Sequence, residues 1–163
     1  MTTRSALYAF GFLVLFSTCA LADPITFTLS SSLLNANPGQ TVTFSATITN
    51  PGATNVFLNA DNATVAGPLT VDDTKFFLNT PAFLAPGQSV TAQIFDVKVP
   101  SGTSLGLYSG TFTILGGSSA TDLISIASAN FAVAVMPVVP EPHTLILLTT
   151  GLVVLLLGRR TVF

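Results

Sequence analysis

The chain has 163 residues, 49% of them apolar and only 7% charged, with a net charge of −2. A single cysteine and a single histidine exclude a disulfide framework and any zinc site built from several nitrogen and sulfur ligands. Five basic residues against seven acidic ones leave no electrostatic footprint for nucleic acid.

The first element is a signal segment. Arg4 precedes an apolar stretch from Ala6 to Phe16, and small residues follow, ending Ala20-Leu21-Ala22. A charged start, an apolar segment of about 7–15 residues and an A-x-A site are what the secretion machinery and its peptidase read. Residues 1–22 are therefore expected to form a signal helix, cleaved after Ala22 with Ala20 and Ala22 as the site. Cys19 raises the alternative of a lipoprotein, which is less favoured because Phe16-Ser17-Thr18 places no small residue just before it.

Residues 23–137 make one domain's worth of chain. Six aspartates (Asp23, Asp61, Asp72, Asp73, Asp96, Asp122) against Lys75 and Lys98 give it a net charge of −4. Its apolar residues alternate with period two. The clearest case is Thr41–Thr49, with Val42, Phe44, Ala46 and Ile48 on one face, bounded by Asn37-Pro38-Gly39-Gln40 and Asn50-Pro51-Gly52.

Ile25–Ser30 reads as an opening strand, and Asn55–Leu58 and Lys75–Leu78 as short ones. Val90–Val99 is a longer strand whose apolar phase slips between Ile94 and Phe95, the mark of a β-bulge. Tyr108–Leu115 alternates with Tyr108, Gly110, Phe112 and Ile114 on one side; Leu123–Val135 closes the set, with a phase shift between Ile126 and Phe131. Pro38-Gly39-Gln40 and Pro86-Gly87-Gln88 are alike, which shared turn chemistry explains better than a repeat, since the similarity ends within six residues.

About seven strands joined by Pro, Gly and Asn turns predict an all-β, immunoglobulin-like β-sandwich. Asn37–Asn50 resembles bacterial surface modules of that shape, and Gly106-Leu107-Tyr108-Ser109-Gly110-Thr111-Phe112 resembles their penultimate strand. Tyr108 sits at a tyrosine-corner position, where its hydroxyl is expected to bond to nearby backbone.

Between Ala22 and the C-terminal tail there is no His, Cys, Glu, Arg or Trp, so Ser-His-Asp and Cys-His arrangements cannot be built. The domain reads as non-enzymatic, without cofactor or metal. An aspartate-only hydrolase and a loop calcium site using Asp61, Asn62, Asp72 and Asp73 are the competing chemistries. Asp72-Asp73 is better read as a solvated turn before Lys75. Thr-x-Thr triplets start at Thr26, Thr41, Thr47 and Thr111 with no coil-length period, so outer-face threonine accounts for them better than ice binding does.

The tail, residues 138–163, has three parts in order. Val139-Pro140-Glu141-Pro142 is stiff and extended because of its prolines. An apolar run over 144–158 follows, ending at Arg159-Arg160. The run has no polar face, and the arginines sit where a stop-transfer pair belongs. The prediction is a transmembrane helix with Arg159 and Arg160 on the cytoplasmic side.

These three parts resemble the PEP-CTERM sorting signal of exopolysaccharide-producing bacteria, a tail also carried by some ice-binding proteins. The resemblance implies recognition at Val139, Pro140, Glu141 and Pro142 by an exosortase. It also implies an inner-membrane-anchored precursor and a final place on the cell surface or in the biofilm matrix. Exopolysaccharide or matrix proteins are then the expected partners. The alternative is a permanently C-terminally anchored, periplasm-facing protein.

Overall fold

Alternating threonine and apolar residues over Thr41–Thr49 form a nine-residue strand with Phe44, Ala46 and Ile48 buried and the threonines facing outward. The computed structural model describes residues 24–137 and Thr150. Nine strands and one short helix occur in the order β1 (Thr26–Leu29), β2 (Leu33–Ala36), β3 (Thr41–Thr49), β4 (Val56–Val65), β5 (Thr70–Asp72), α1 (Thr74–Asn79), β6 (Phe83–Leu84), β7 (Ser89–Lys98), β8 (Gly106–Gly117) and β9 (Ile124–Val135). They build two sheets, β1-β3-β7-β5 and β2-β9-β8-β4-β6, in which only the β2–β9 pair is parallel.

The sheets pack face to face over phenylalanine. Phe44 and Phe95 from the first sheet meet Phe112 and Phe131 from the second, with Phe95 stacked on Phe44 (centroids 4.8 Å) and on Phe112 (4.7 Å). Stacked and tilted rings at these distances add to the burial of large apolar area that drives the two layers together. Both predicted phase slips are bulges. Ile94 is passed over in the β3–β7 register and Ile126 in the β8–β9 register, so Ile94 and Phe95, and likewise Ile126 and Ala127, are buried as neighbours.

The two Pro-Gly-Gln turns are built alike. Gly39 (φ 89°) and Gly87 (φ 71°) occupy the left-handed position of a type II turn, after a proline that fixes the preceding φ. The Gln40 N–H donates to the Asn37 carbonyl and Gln88 to Ala85. Each glutamine then accepts on its side-chain Oε1 from the N–H of that same residue, at 2.8 Å in both turns. Asn50, fully buried, donates to the Thr54 and Leu84 carbonyls and accepts from the Gly52 N–H, so the loop after β3 is fastened to β6.

Tyr108 donates its hydroxyl to the Ser104 carbonyl at 2.9 Å, closing the corner before β8. Replacing it with Phe keeps the ring and removes one bond to a solvent-accessible carbonyl. Tyr108→Phe should therefore cost about 1 kcal/mol in urea denaturation.

Three expectations are corrected. The strands number nine, because β2, β5 and β6 are too short to show alternation. Lys75–Leu78 is helical: only Phe76 is taken into the core, against Phe112 (5.8 Å), while Phe77 and Leu78 stay exposed, a pattern that a strand alternating at Phe76 and Leu78 does not produce. Asp61 and Asn62 lie inside β4, which continues seven residues beyond Leu58. The predicted signal helix, and the predicted transmembrane helix apart from Thr150, fall outside the described residues.

Candidate functional site

Two surfaces and one buried corner carry the polar chemistry. The corner is formed by β4, β5 and α1. In the β4–β8 register Asp61 lies opposite Ile114 and Ala63 opposite Phe112, so Asp61 shares the inward phase of Ala63 and Val65. Asp61 Oδ2 is closed off from solvent and meets no donor among the described residues. The Asp73 carboxyl faces it, at the start of α1, and two carboxyls hydrogen-bond only if one keeps its proton. Burial above all, then the Asp73 charge, then that bond push the Asp61 carboxyl up to about 7.

Asp72 points the other way. It is exposed, and its Oδ1 accepts from the Thr74 hydroxyl and N–H, which lowers its pKa. Asp61, Asn62, Asp72 and Asp73 therefore do not converge as calcium ligands: Asn62 is exposed and sits opposite Thr113, and Asp72 lies opposite Asp96 on the other sheet. Lys75 pairs with Asp96 (2.7 Å), to which Thr43 also donates (2.6 Å), and this triad holds α1 against β7. Sequence reasoning missed the Asp61–Asp73 pair. The available signal was the phase Asp61, Ala63, Val65, readable only once the register slip between Leu58 and Ala60 is known.

The first surface is the outer face of β1, β3 and β7. Thr26 lies opposite Thr49 and Thr28 opposite Thr47, and these hydroxyls meet β7 through Thr49–Ser89 (2.7 Å) and Thr47–Thr91 (2.8 Å). The hydroxyls bond to one another across strands, an ordinary source of sheet stability.

The second surface is the outer face of β4, β8 and β9, where a shallow trough of about 750 Å³ lies among Ser32, Thr64, Ser109, Thr111 and Asn130. A second depression of about 560 Å³ adjoins it and shares Ser32 and Asn130. No charged side chain lines either. Thr111 donates to Asn130 Oδ1 (3.0 Å), and the trough sets these hydroxyls and amides beside apolar surface from Val65, Ala66, Phe131 and Ala132.

The fold recurs in larger proteins. Native alpha-2-macroglobulin from Escherichia coli superposes at TM-score 0.51 and 24% identity, over 72% of this chain and 7% of that one. A fragment of the same protein, from domain MG7 to the C-terminus, gives 0.50 and 23% over 73% and 17%. The secreted serine protease VesC from Vibrio cholerae gives 0.50 and 16% over 73% and 24%. The chain thus spans under a quarter of each, and the likeness is one of fold alone. No family model and no curated protein matches the chain.

The predicted sorting residues Val139, Pro140, Glu141 and Pro142, the pair Arg159 and Arg160, and the cleavage residues Ala20 and Ala22 lie outside the described residues. Among the described residues no helix is long and apolar enough to cross a membrane, and no group of three or more His, Cys, Asp or Glu is placed to hold a metal.

Proposed function

We propose that the chain is an exported surface or extracellular-matrix protein whose immunoglobulin-like β-sandwich is a non-enzymatic binding module for a neutral polysaccharide. The observation that carries this reading is the trough on β4, β8 and β9. It is shallow and uncharged, and among its mixed polar and apolar lining Ser32, Thr64, Ser109, Thr111 and Asn130 donate and accept without selecting for charge. A polyhydroxylated chain lying across a sheet matches such a floor. An acidic or basic polymer finds no counter-ion there.

Routing rests on the two ends: the signal at 1–22, and the tail that resembles a PEP-CTERM signal, read by an exosortase at Val139-Pro140-Glu141-Pro142 and held meanwhile by the inner membrane. Affinity electrophoresis through a neutral exopolysaccharide gel tests the binding. Thr111→Ala/Asn130→Ala should lose about tenfold in affinity while losing no more than about 1 kcal/mol of stability, the scale of the one cross-strand pair removed. Unchanged retention of the double variant would remove the trough from consideration. Cell fractionation tests the routing: a tail-less product in the medium or matrix supports sorting, and full-length protein confined to the inner membrane supports permanent anchoring.

A further inference from the structure

We infer that, before processing, the sandwich rests on the bilayer through an apolar rim at the end where the chain leaves it. This rests on the reading of the tail as a membrane segment. The exit is fixed: the Met136 N–H donates to the Ala36 carbonyl, and Val135 lies opposite Gly106. That register sets Leu107 opposite Ala134, and Leu105 and Met136 are the residues that follow the last pair on each chain segment. Leu105, Leu107 and Met136 are 58%, 65% and 46% exposed, although nothing about an isolated sandwich requires three large apolar side chains together at one end. Leu33 (50% exposed) lies opposite Ala132, two rows further from the exit than Leu107, with the exposed Asn35 between them on β2. The rim is therefore Leu105, Leu107 and Met136, at the start of β8 and just beyond the end of β9.

Reach and charge select the occupant. Eight Cα steps separate Pro137 from Leu145, where the apolar run is under way, so the exit lies no more than about 30 Å from its start. The twelve residues of β9 extend about 40 Å, which carries Leu123 and Ile124, the exposed apolar pair before and at the far end of that strand, beyond this reach in an upright domain. The charges are arranged in the same sense. Lys98, opposite Thr41 and Thr70, lies nearest the exit end, with Asp72, opposite Asp96, two rows behind it; Asp122 lies at the far end and Asp61 and Asp73 sit between. An anionic headgroup layer is thus met by apolar side chains and a lysine. The contact would hold Pro140-Glu141-Pro142 at headgroup depth, where a membrane-embedded processing enzyme can reach it.

The test uses the full chain carrying Cys19→Ser and one labelled cysteine at a time, reconstituted into phosphatidylethanolamine–phosphatidylglycerol vesicles. Leu107→Cys reports the rim, Leu123→Cys the far end and Val153→Cys the tail, each bearing an environment-sensitive fluorophore. Nitroxide-bearing lipid should quench the labels at 107 and 153 at least about twofold more than the label at 123. Quenching at 153 with 107 no different from 123 would overturn the rim contact and leave the membrane reading of the tail intact. Absence of quenching at both 107 and 153 would overturn that reading, and the rim contact with it.

Discussion

Phe95→Ala is expected to remove about 3–5 kcal/mol of stability, a large share of the roughly 5–15 kcal/mol that a domain of this size possesses. Phe95 is fully buried and touches three core rings drawn from both sheets: it stacks on Phe44 at an interplanar angle of 15°, stacks on Phe112 at 9°, and tilts against Phe131 at 4.8 Å. Truncation loses the transfer energy of the ring and leaves a cavity that neighbouring strands cannot close, because their spacing is fixed by the ladders on either side. The bulge at Ile94 sharpens the effect, since it is what turns both Ile94 and Phe95 inward. Urea denaturation should show a lower midpoint at unchanged slope. Phe77→Ala is the control, 56% exposed on α1, and should stay within about 0.5 kcal/mol. A loss below about 1 kcal/mol for Phe95→Ala would mean that the sheets are not held by this stack.

Much of the sandwich was legible because its signals are local. Thr41–Thr49 alternates without error, both Pro-Gly-Gln turns carry their own geometry, and the slips at Ile94 and Ile126 are visible as two apolar residues in succession. The Tyr108 corner follows from a motif and is met by the Ser104 bond. What sequence reasoning missed depends on distant partners. β2 is four residues with Leu33 exposed, and it exists because β9 offers it a parallel edge. α1 has no acidic residue in its first turn, no basic one in its last and no side-chain cap bond, so helix signals were absent; Phe76 is drawn down onto Phe112 and the ion pair of Lys75 with Asp96 fixes the turn. The Asp61–Asp73 contact joins a strand of one sheet to the entry of a helix docked on the other. No spacing in the chain announces it.

That contact dictates the second large effect, a stability that falls as pH rises from about 4 to about 7. Asp61 has its folded pKa raised to about 7 from the 3.8 of an unperturbed aspartate, so across this window the native state keeps a proton that the unfolded chain has released. Stability then decreases with pH, because the native state binds more protons; the contribution is fully present below about 4 and gone above about 7. The group facing Asp61 from the packed elements is Asp73 at the start of α1; Asp72 points away to solvent, and the Lys75–Asp96 pair joins α1 to β7. Asp72 acts in the opposite sense at lower pH: its pKa is lowered by the Thr74 hydroxyl and N–H, so what it adds is lost only as pH falls below about 4.

The expected profile has its maximum near pH 4–5. Its alkaline limb is about 1–2 kcal/mol, after discounting for the half-open setting of the carboxyl. Asp61→Asn supplies a neutral group that donates to Asp73 at every pH. It should match the parent chain near pH 4.5, exceed it at pH 8 and abolish the alkaline limb, as read from urea midpoints across the range. A parent chain whose midpoint is flat from pH 4.5 to 8 would show that Asp61 is ionised in the folded protein and that the buried corner holds no shared proton.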